Sequence, residues 1–314
     1  MITTAPPPAT PPHSLPRSSS IHIGLNTDSK TEPGPSSLSS MRPDMTVRPS
    51  YSQSQPVDAG HLASPDILDE LLPRCRSQQR SAPNAGRPSL HHDVEPSNSS
   101  SRPLRALYTR RFPSLPQPNV LHYVPASLSP HSPHLSLFTA WQKSPRVAQG
   151  WDQAWSEEKQ RAYLADVQGR DDQLGLIGYW SRSEMDKGDE LGKPWGYIEI
   201  YWAAESNLAP HYDWPEQAMG FHALVGEEWA RGPHRVHAWM PSVVEMIRQL
   251  EPRCPLICSE PKVTNDKMIR YECETGGRVH REIQLPHKRA ALVLWEREET
   301  SGEGENEAEE AKEA

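Results

Sequence analysis

Residues 219–226 read MGFHALVG, an apolar run interrupted by one imidazole, His222. Such a histidine is ordinarily a core residue with a satisfied hydrogen bond. It is also the side chain best suited to take up a proton near neutral pH. Further on, Glu260 closes the apolar segment PLICSE just before a proline. Between the two lies ARGPHR, with Arg231, Gly232, His234 and Arg235 at the entry to a helix. Free amides at a helix start, together with guanidinium groups, attract a pyrophosphate. Taken singly, each signal is weak: an isolated His and Glu are usually structural, and many strand-to-helix turns carry Arg and Gly.

The elements that must position these groups follow from periodicity. Val236, Trp239, Met240, Val243, Val244, Ile247 and Leu250 recur at three- and four-residue spacing, which predicts one buried helical stripe. Pro233 suits its first turn, whereas Pro241 predicts a kink. LGLIGYWSR and WGYIEIYWA read as strands joined by the polar loop SEMDKGDELGKP, and MGFHALVG as a third. Ahead of them, HLSLFTAW predicts a helix, broken at Ser144-Pro145, and SEEKQRAYLADV a helix capped by Ser156. After them come the strand PLICSEP, a helix over NDKMIRYECE capped by Asn265, and the hairpin VHREIQL–PHK–RAALVLWER. This order describes an α/β (α+β) domain with a mixed, mostly antiparallel sheet and flanking helices.

Composition divides the chain. Of 33 prolines, 23 precede residue 134, whereas all ten tryptophans follow it. Residues 1–133 are therefore read as a mostly disordered Ser/Pro-rich arm, 134–297 as one packed domain, and 298–314 as an acidic disordered tail. Within the arm, SPDILDELL (64–72) suits a short helix, and RALYTRRF and NVLHYV could be strands that lean on the later domain. The last 19 residues hold nine glutamates against one Arg and one Lys, so most of the net charge of −8 is theirs. The near-neutral remainder offers no basic surface for nucleic acid. No run approaches a membrane span and the opening residues lack a signal peptide's pattern, so the expectation is a cytoplasmic protein. Four cysteines form no disulfide or zinc pattern, and no metal site is expected. The sequence specifies no oligomeric state.

The ordered series WQKSPRVAQGW, WGYIEIYWAAE, APHYDW, MGFHALVG, RGPHRV, SEPKVTN and LPHKRAAL covers about residues 137–297. In that order the motifs resemble the Gcn5-related N-acetyltransferases. More narrowly, they are similar to the branch that acylates N-hydroxylated ornithine or lysine in siderophore biosynthesis; RGPHRV in particular resembles the fungal hydroxyornithine acyltransferases.

The resemblance implies a single domain of that fold, with acetyl-CoA as acyl donor and small molecules as partners. It implies His222 as general base with Glu260 assisting, and an amide near Leu224 or Val225 facing the thioester oxygen. Arg231, Gly232, His234 and Arg235 would surround the pyrophosphate. His234 departs from the family's second glycine. Tyr201, Trp202, His211 and Tyr212 match positions flanking the acceptor cleft, and Lys288 would meet a substrate carboxylate. The expected reaction is acetyl transfer to N5-hydroxy-L-ornithine. Hydroxylysine as acceptor, or a larger anhydromevalonyl donor, is the alternative within that chemistry. A non-catalytic binding protein that keeps the fold is the alternative outside it.

Overall fold

The computed structural model describes residues 58–65, 104–182 and 192–297. They form a sheet of nine strands: β1 (His61–Leu62), β2 (Tyr108–Arg111), β3 (Val120–Pro125), β4 (Gln173–Ser181), β5 (Lys193–Trp202), β6 (Met219–Val225), β7 (Leu256–Ser259), β8 (Arg278–Leu285) and β9 (Lys288–Glu296). Their spatial order is β1-β2-β3-β4-β5-β6-β7-β9-β8. Every neighbouring pair is antiparallel except β6 and β7. A parallel pair needs a crossover, and here helix α4 (Pro233–Leu250) supplies it.

Strand alternation gives the sheet two apolar faces. Helices α1 (His134–Lys143), α2 (Pro145–Trp151) and α3 (Glu157–Gly169) intervene between β3 and β4. Phe138, Trp141, Val147 and Leu164 from these helices pack with Val124, Ile177, Tyr179, Tyr197 and Leu224. Trp239, Met240, Val243 and Ile247 of α4 pack with Leu121, Tyr123, Ile198, Ile200 and Phe221. The rings of Trp195 and Trp239 lie 5.3 Å apart, tying β5 to α4. Fully burying each large aliphatic side chain stabilises the fold by about 1.5–3 kcal/mol.

The expected caps are present. Ser156 accepts a bond from the Lys159 amide at 3.4 Å. Asn265 accepts one from Met268 at 3.3 Å, opening α5 (Asp266–Glu274). The crossover helix stays one element through Pro241 and runs on to Leu250.

Two segments placed in the arm belong to the sheet. RALYTRRF supplies β2 and NVLHYV supplies β3, and Leu107, Tyr108, Leu121 and Tyr123 are wholly buried. The packed domain thus reaches back beyond residue 134. Both runs are strands, as expected, and their pairing with each other and with β4 makes them part of the domain they lean on. Most of the expected helix at 64–72, most of the loop at 183–194 and the tail at 298–314 lie outside the described residues.

Candidate active site

The pairing of β6 with β7 is short: only Met219 with Ile257 and Gly220 with Cys258. Beyond Gly220 the two strands part, leaving a wedge whose β6 side runs from Phe221 to Val225. The backbone phase there follows from the Gly226 amide, which bonds the Trp195 carbonyl at 2.9 Å. Alternation then directs Leu224, His222 and Gly220 into the ladder with β5, and turns the amides of Ala223 and Val225 away from it. Of the two amides expected to face a ligand, Val225 is thereby free for the role, and Leu224 is occupied in the sheet.

His222 stands directly opposite Glu199 of β5, on the sheet face covered by α1–α3. Its Nδ1 lies 3.2 Å from Glu199 Oε1 and its Nε2 2.6 Å from Glu260 Oε1. Each carboxylate has further partners. Tyr163 and Tyr197 donate their hydroxyls to Glu199 Oε2 at 2.6 and 2.8 Å. Tyr201 donates to Glu260 Oε2 at 2.8 Å. Lys288 Nζ donates to the Glu260 carbonyl at 2.6 Å and lies 3.4 Å from its Oε1. Gly220 makes room for this, because a Cβ there would fall 2.4 Å from the Tyr201 ring.

Trp151 meets the imidazole edge-on at 6.2 Å, and Tyr201 lies at 4.6 Å. The ring nevertheless remains reachable: 36% of the His222 side chain is exposed, against 3% and 6% for Glu199 and Glu260.

The electrostatics follow from this enclosure. Burial alone would lower the His222 pKa, but the Glu260 charge and the bonds to both carboxylates outweigh it and push it up to about 9. Burial likewise opposes the carboxylate charges, yet His222 holds Glu260 far below the usual range, with Lys288 assisting, and holds Glu199 below it. At neutral pH the ring is therefore an imidazolium between two carboxylates. The expected neutral imidazole becomes the main species only in alkaline solution.

A second group of residues lies where the wedge meets α4. Gly232 caps the helix with φ +103, a conformation that L side chains rarely adopt. Arg231 bonds Glu228 at 2.8 Å. Exposed His234 sits in the helix's first turn, its ring placed so that a Cβ on Gly232 would come within 3.3 Å. Helix α2 reaches across to the same region. Arg146 donates to the carbonyls of Val225 at 2.6 Å and Gly226 at 2.9 Å, and lies 3.7 Å from Glu228. Trp151 Nε1 donates to the Ala223 carbonyl at 3.4 Å. On the other side, Lys262 donates to the Gln149 carbonyl at 2.6 Å. The α2 segment therefore bridges the wedge.

Other expected positions separate from the site. Arg235 turns inward: it is 5% exposed, bonds the Pro118 carbonyl at 2.7 Å and stacks over Trp180 at 4.5 Å. It braces the β2–β3 turn instead of the helix entry. Trp202 alternates to the opposite face from Tyr201 and joins the core under α4. Lys288 is engaged by Glu260, so it neutralises that carboxylate and does not stand free for a substrate. Tyr201 serves as a hydrogen-bond donor within the network, its side chain buried. His211 lines a shallow groove of about 640 Å³ with Ser206, Asn207, Gln284 and Pro286. Tyr212 packs on Trp214 and His280 beside it.

Sequence reasoning passed over Glu199, Tyr163, Tyr197, Arg146 and Trp151. Glu199 left one signal, a lone acid within the apolar strand YIEIYW, since a buried carboxylate persists only with partners. Among the described residues, no group of three or more His, Cys, Asp or Glu is arranged to hold a metal ion. Nor is any described helix long and apolar enough to cross a membrane.

Residues 131–285 match the family profile of the Acetyltransferase (GNAT) domain. The N(5)-hydroxyornithine:cis-anhydromevalonyl coenzyme A-N(5)-transacylase of Beauveria bassiana is 34% identical over 202 residues, 64% of this chain and 41% of that protein. The N(6)-hydroxylysine O-acetyltransferase of Escherichia coli is 36% identical over 160 residues, 51% of this chain and 48% of that protein. The chain thus spans about half the length, or less, of these relatives. The solved structure of an uncharacterized protein from Bacillus halodurans is 22% identical, covers 56% of this chain and 84% of that one with a TM-score of 0.50, and shares the fold. With the ordered motifs, the parted strands and this profile together, residues 131–285 form an acetyltransferase domain of the GNAT family.

Proposed function

We propose that the protein transfers an acyl group from acyl-CoA to the hydroxylated side-chain nitrogen of N5-hydroxy-L-ornithine, forming a hydroxamate, with acetyl-CoA as donor. The observation that carries this reading is the partly exposed His222 ring held between two buried carboxylates at the mouth of the wedge. The names of the relatives, which specify hydroxyornithine and hydroxylysine, support the acceptor class. One relative's larger anhydromevalonyl donor favours a second reading, in which the wedge takes a bulkier acyl chain.

In this reading the donor's pantetheine arm lies along the β6 edge that β7 leaves, where Arg146 and Trp151 hold the carbonyls and Val225 offers its amide to the thioester oxygen. Arg231, Gly232 and His234, at the positive end of α4, take the pyrophosphate. The hydroxylamine nitrogen attacks the thioester carbon: the N–C bond forms, the C–S bond breaks, and the sulfur leaves as thiolate. The proton lost by nitrogen passes to Nε2 of the neutral His222 ring, the form that gains population as pH rises toward 9, and the ring then hands it to the thiolate, giving free CoA. A hydroxylamine is less basic than an alkylamine, so it arrives neutral and needs only this one acceptor. Glu260, held by Tyr201 and Lys288, stabilises the imidazolium that results.

Thiol release from acetyl-CoA, measured with N5-hydroxyornithine, N6-hydroxylysine and ornithine, tests the proposal. Release with hydroxyornithine above the other two acceptors is expected. Absence of release with every acceptor, together with no thermal stabilisation by acetyl-CoA, would favour a non-catalytic binding protein. Release only with longer acyl-CoA donors would select the second reading.

A further inference from the structure

The carboxylate on the far side of the imidazole has no part in the reaction scheme above. Glu199 is 3% exposed, lies directly across the ladder from His222, and approaches Nδ1 at 3.2 Å. Tyr163 of α3 and Tyr197 of β5 both donate to its other oxygen, so the carboxylate is tethered from two elements. Its cationic hydrogen-bond partner is the imidazolium itself. Glu260 differs, because Lys288 and Tyr201 bond it independently of the ring.

The geometry points to Glu199 as the positioning residue of this site: it retains the Nδ1–H of His222, so that the proton exchanged in catalysis is confined to Nε2. The inference rests on the reading of His222 as base. The shorter bond, 2.6 Å, lies on the Glu260 side. Charge balance nevertheless decides which proton stays. Loss of the Nε2 proton leaves Glu260 with its ammonium and hydroxyl partners. Loss of the Nδ1 proton would leave Glu199 buried and facing a lone pair, with two tyrosine hydroxyls but no cation bonded to it, and breaking a buried ion pair in this way is destabilising.

The titratable groups around the ring and its carboxylates are Glu199, Tyr197 and Tyr201 on β5, Glu260 after β7, Tyr163 on α3, Arg170 just after α3, His287 in the turn before β9 and Lys288 at its start. Helix α2 contributes only the indole of Trp151 to the imidazole. A negative charge held at Nδ1 favours the protonated ring, so Glu199 also sets the pH at which the base becomes available.

Nitrogen-15 NMR of His222 in the full chain tests the assignment without relying on turnover. Above pH 9 the neutral wild-type ring should carry its proton on Nδ1; a proton on Nε2 would overturn the proposal. Glu199→Gln keeps an oxygen acceptor and removes the charge, so the ring's titration should fall by about one unit or more. The pH dependence of turnover should move down by the same amount, with the Michaelis constant for acyl-CoA unchanged. An unaltered His222 titration in that variant would reject the role. A shifted titration with an unshifted rate profile would support the hold of Glu199 on the ring and reject His222 as base.

Discussion

Raising the pH from 6 to 9.5 removes the Nε2 proton of His222, and with it the positive charge that holds the ring between two carboxylates, and the fold should weaken accordingly. The sign follows from the direction of the shift. The pKa rises from 6.5 to about 9 on folding, so the stabilisation is fully present below 6.5 and is lost as pH climbs through about 9. A shift of about 2.5 units corresponds to about 3 kcal/mol for an enclosed ring. The side chain is 36% exposed, and solvent screening brings the expected loss to about 1–2 kcal/mol. Urea unfolding at pH 6, 8 and 9.5 measures it, with His222→Gln as reference to subtract every other titration. For an ordinary urea dependence, the midpoint difference between the proteins should narrow by about half a molar or more across that range. Parallel pH dependences in the two proteins would refute the ion-pair reasoning.

Other perturbations separate roles that the sequence runs together. Arg231→Ala should raise the Michaelis constant for acyl-CoA, whereas Arg235→Ala should leave it unchanged and cost about 1–3 kcal/mol of stability through the lost stacking and backbone bond. Steady-state kinetics and thermal unfolding of both variants check this, and the reverse pattern would contradict the inward placement of Arg235. Burial pushes the Glu272 carboxyl up to about 8, so stability is lost as pH rises from 4.5 toward 8. Glu272→Gln should match the wild type near pH 4.5 and exceed it near pH 8 by on the order of 1–3 kcal/mol, and a pH-independent difference would count against that account.

Local signals served well where local physics decides. The stripe from Val236 to Leu250 became the buried face of α4, and Ser156 and Asn265 cap the helices they precede. Alternation in YIEIYW also fixes which of its side chains share a face. Placing Tyr201 beside His222 obliges Trp202 to face the other way, and puts Glu199 on the ring's own face. Tertiary contacts hid the rest. Arg235 looks like a helix-entry guanidinium until Pro118 and Trp180 arrive from a distant hairpin. Lys288 looks like a solvated turn residue until Glu260 lies beside it. The bridge made by Arg146 and Trp151 depends on where α2 settles, which no spacing encodes.

Turnover of His222→Ala against wild type, with acetyl-CoA and N5-hydroxyornithine, tests the central claim most directly. The account predicts a fall of at least about a hundredfold with acetyl-CoA affinity nearly intact. Turnover at the wild-type rate would contradict it.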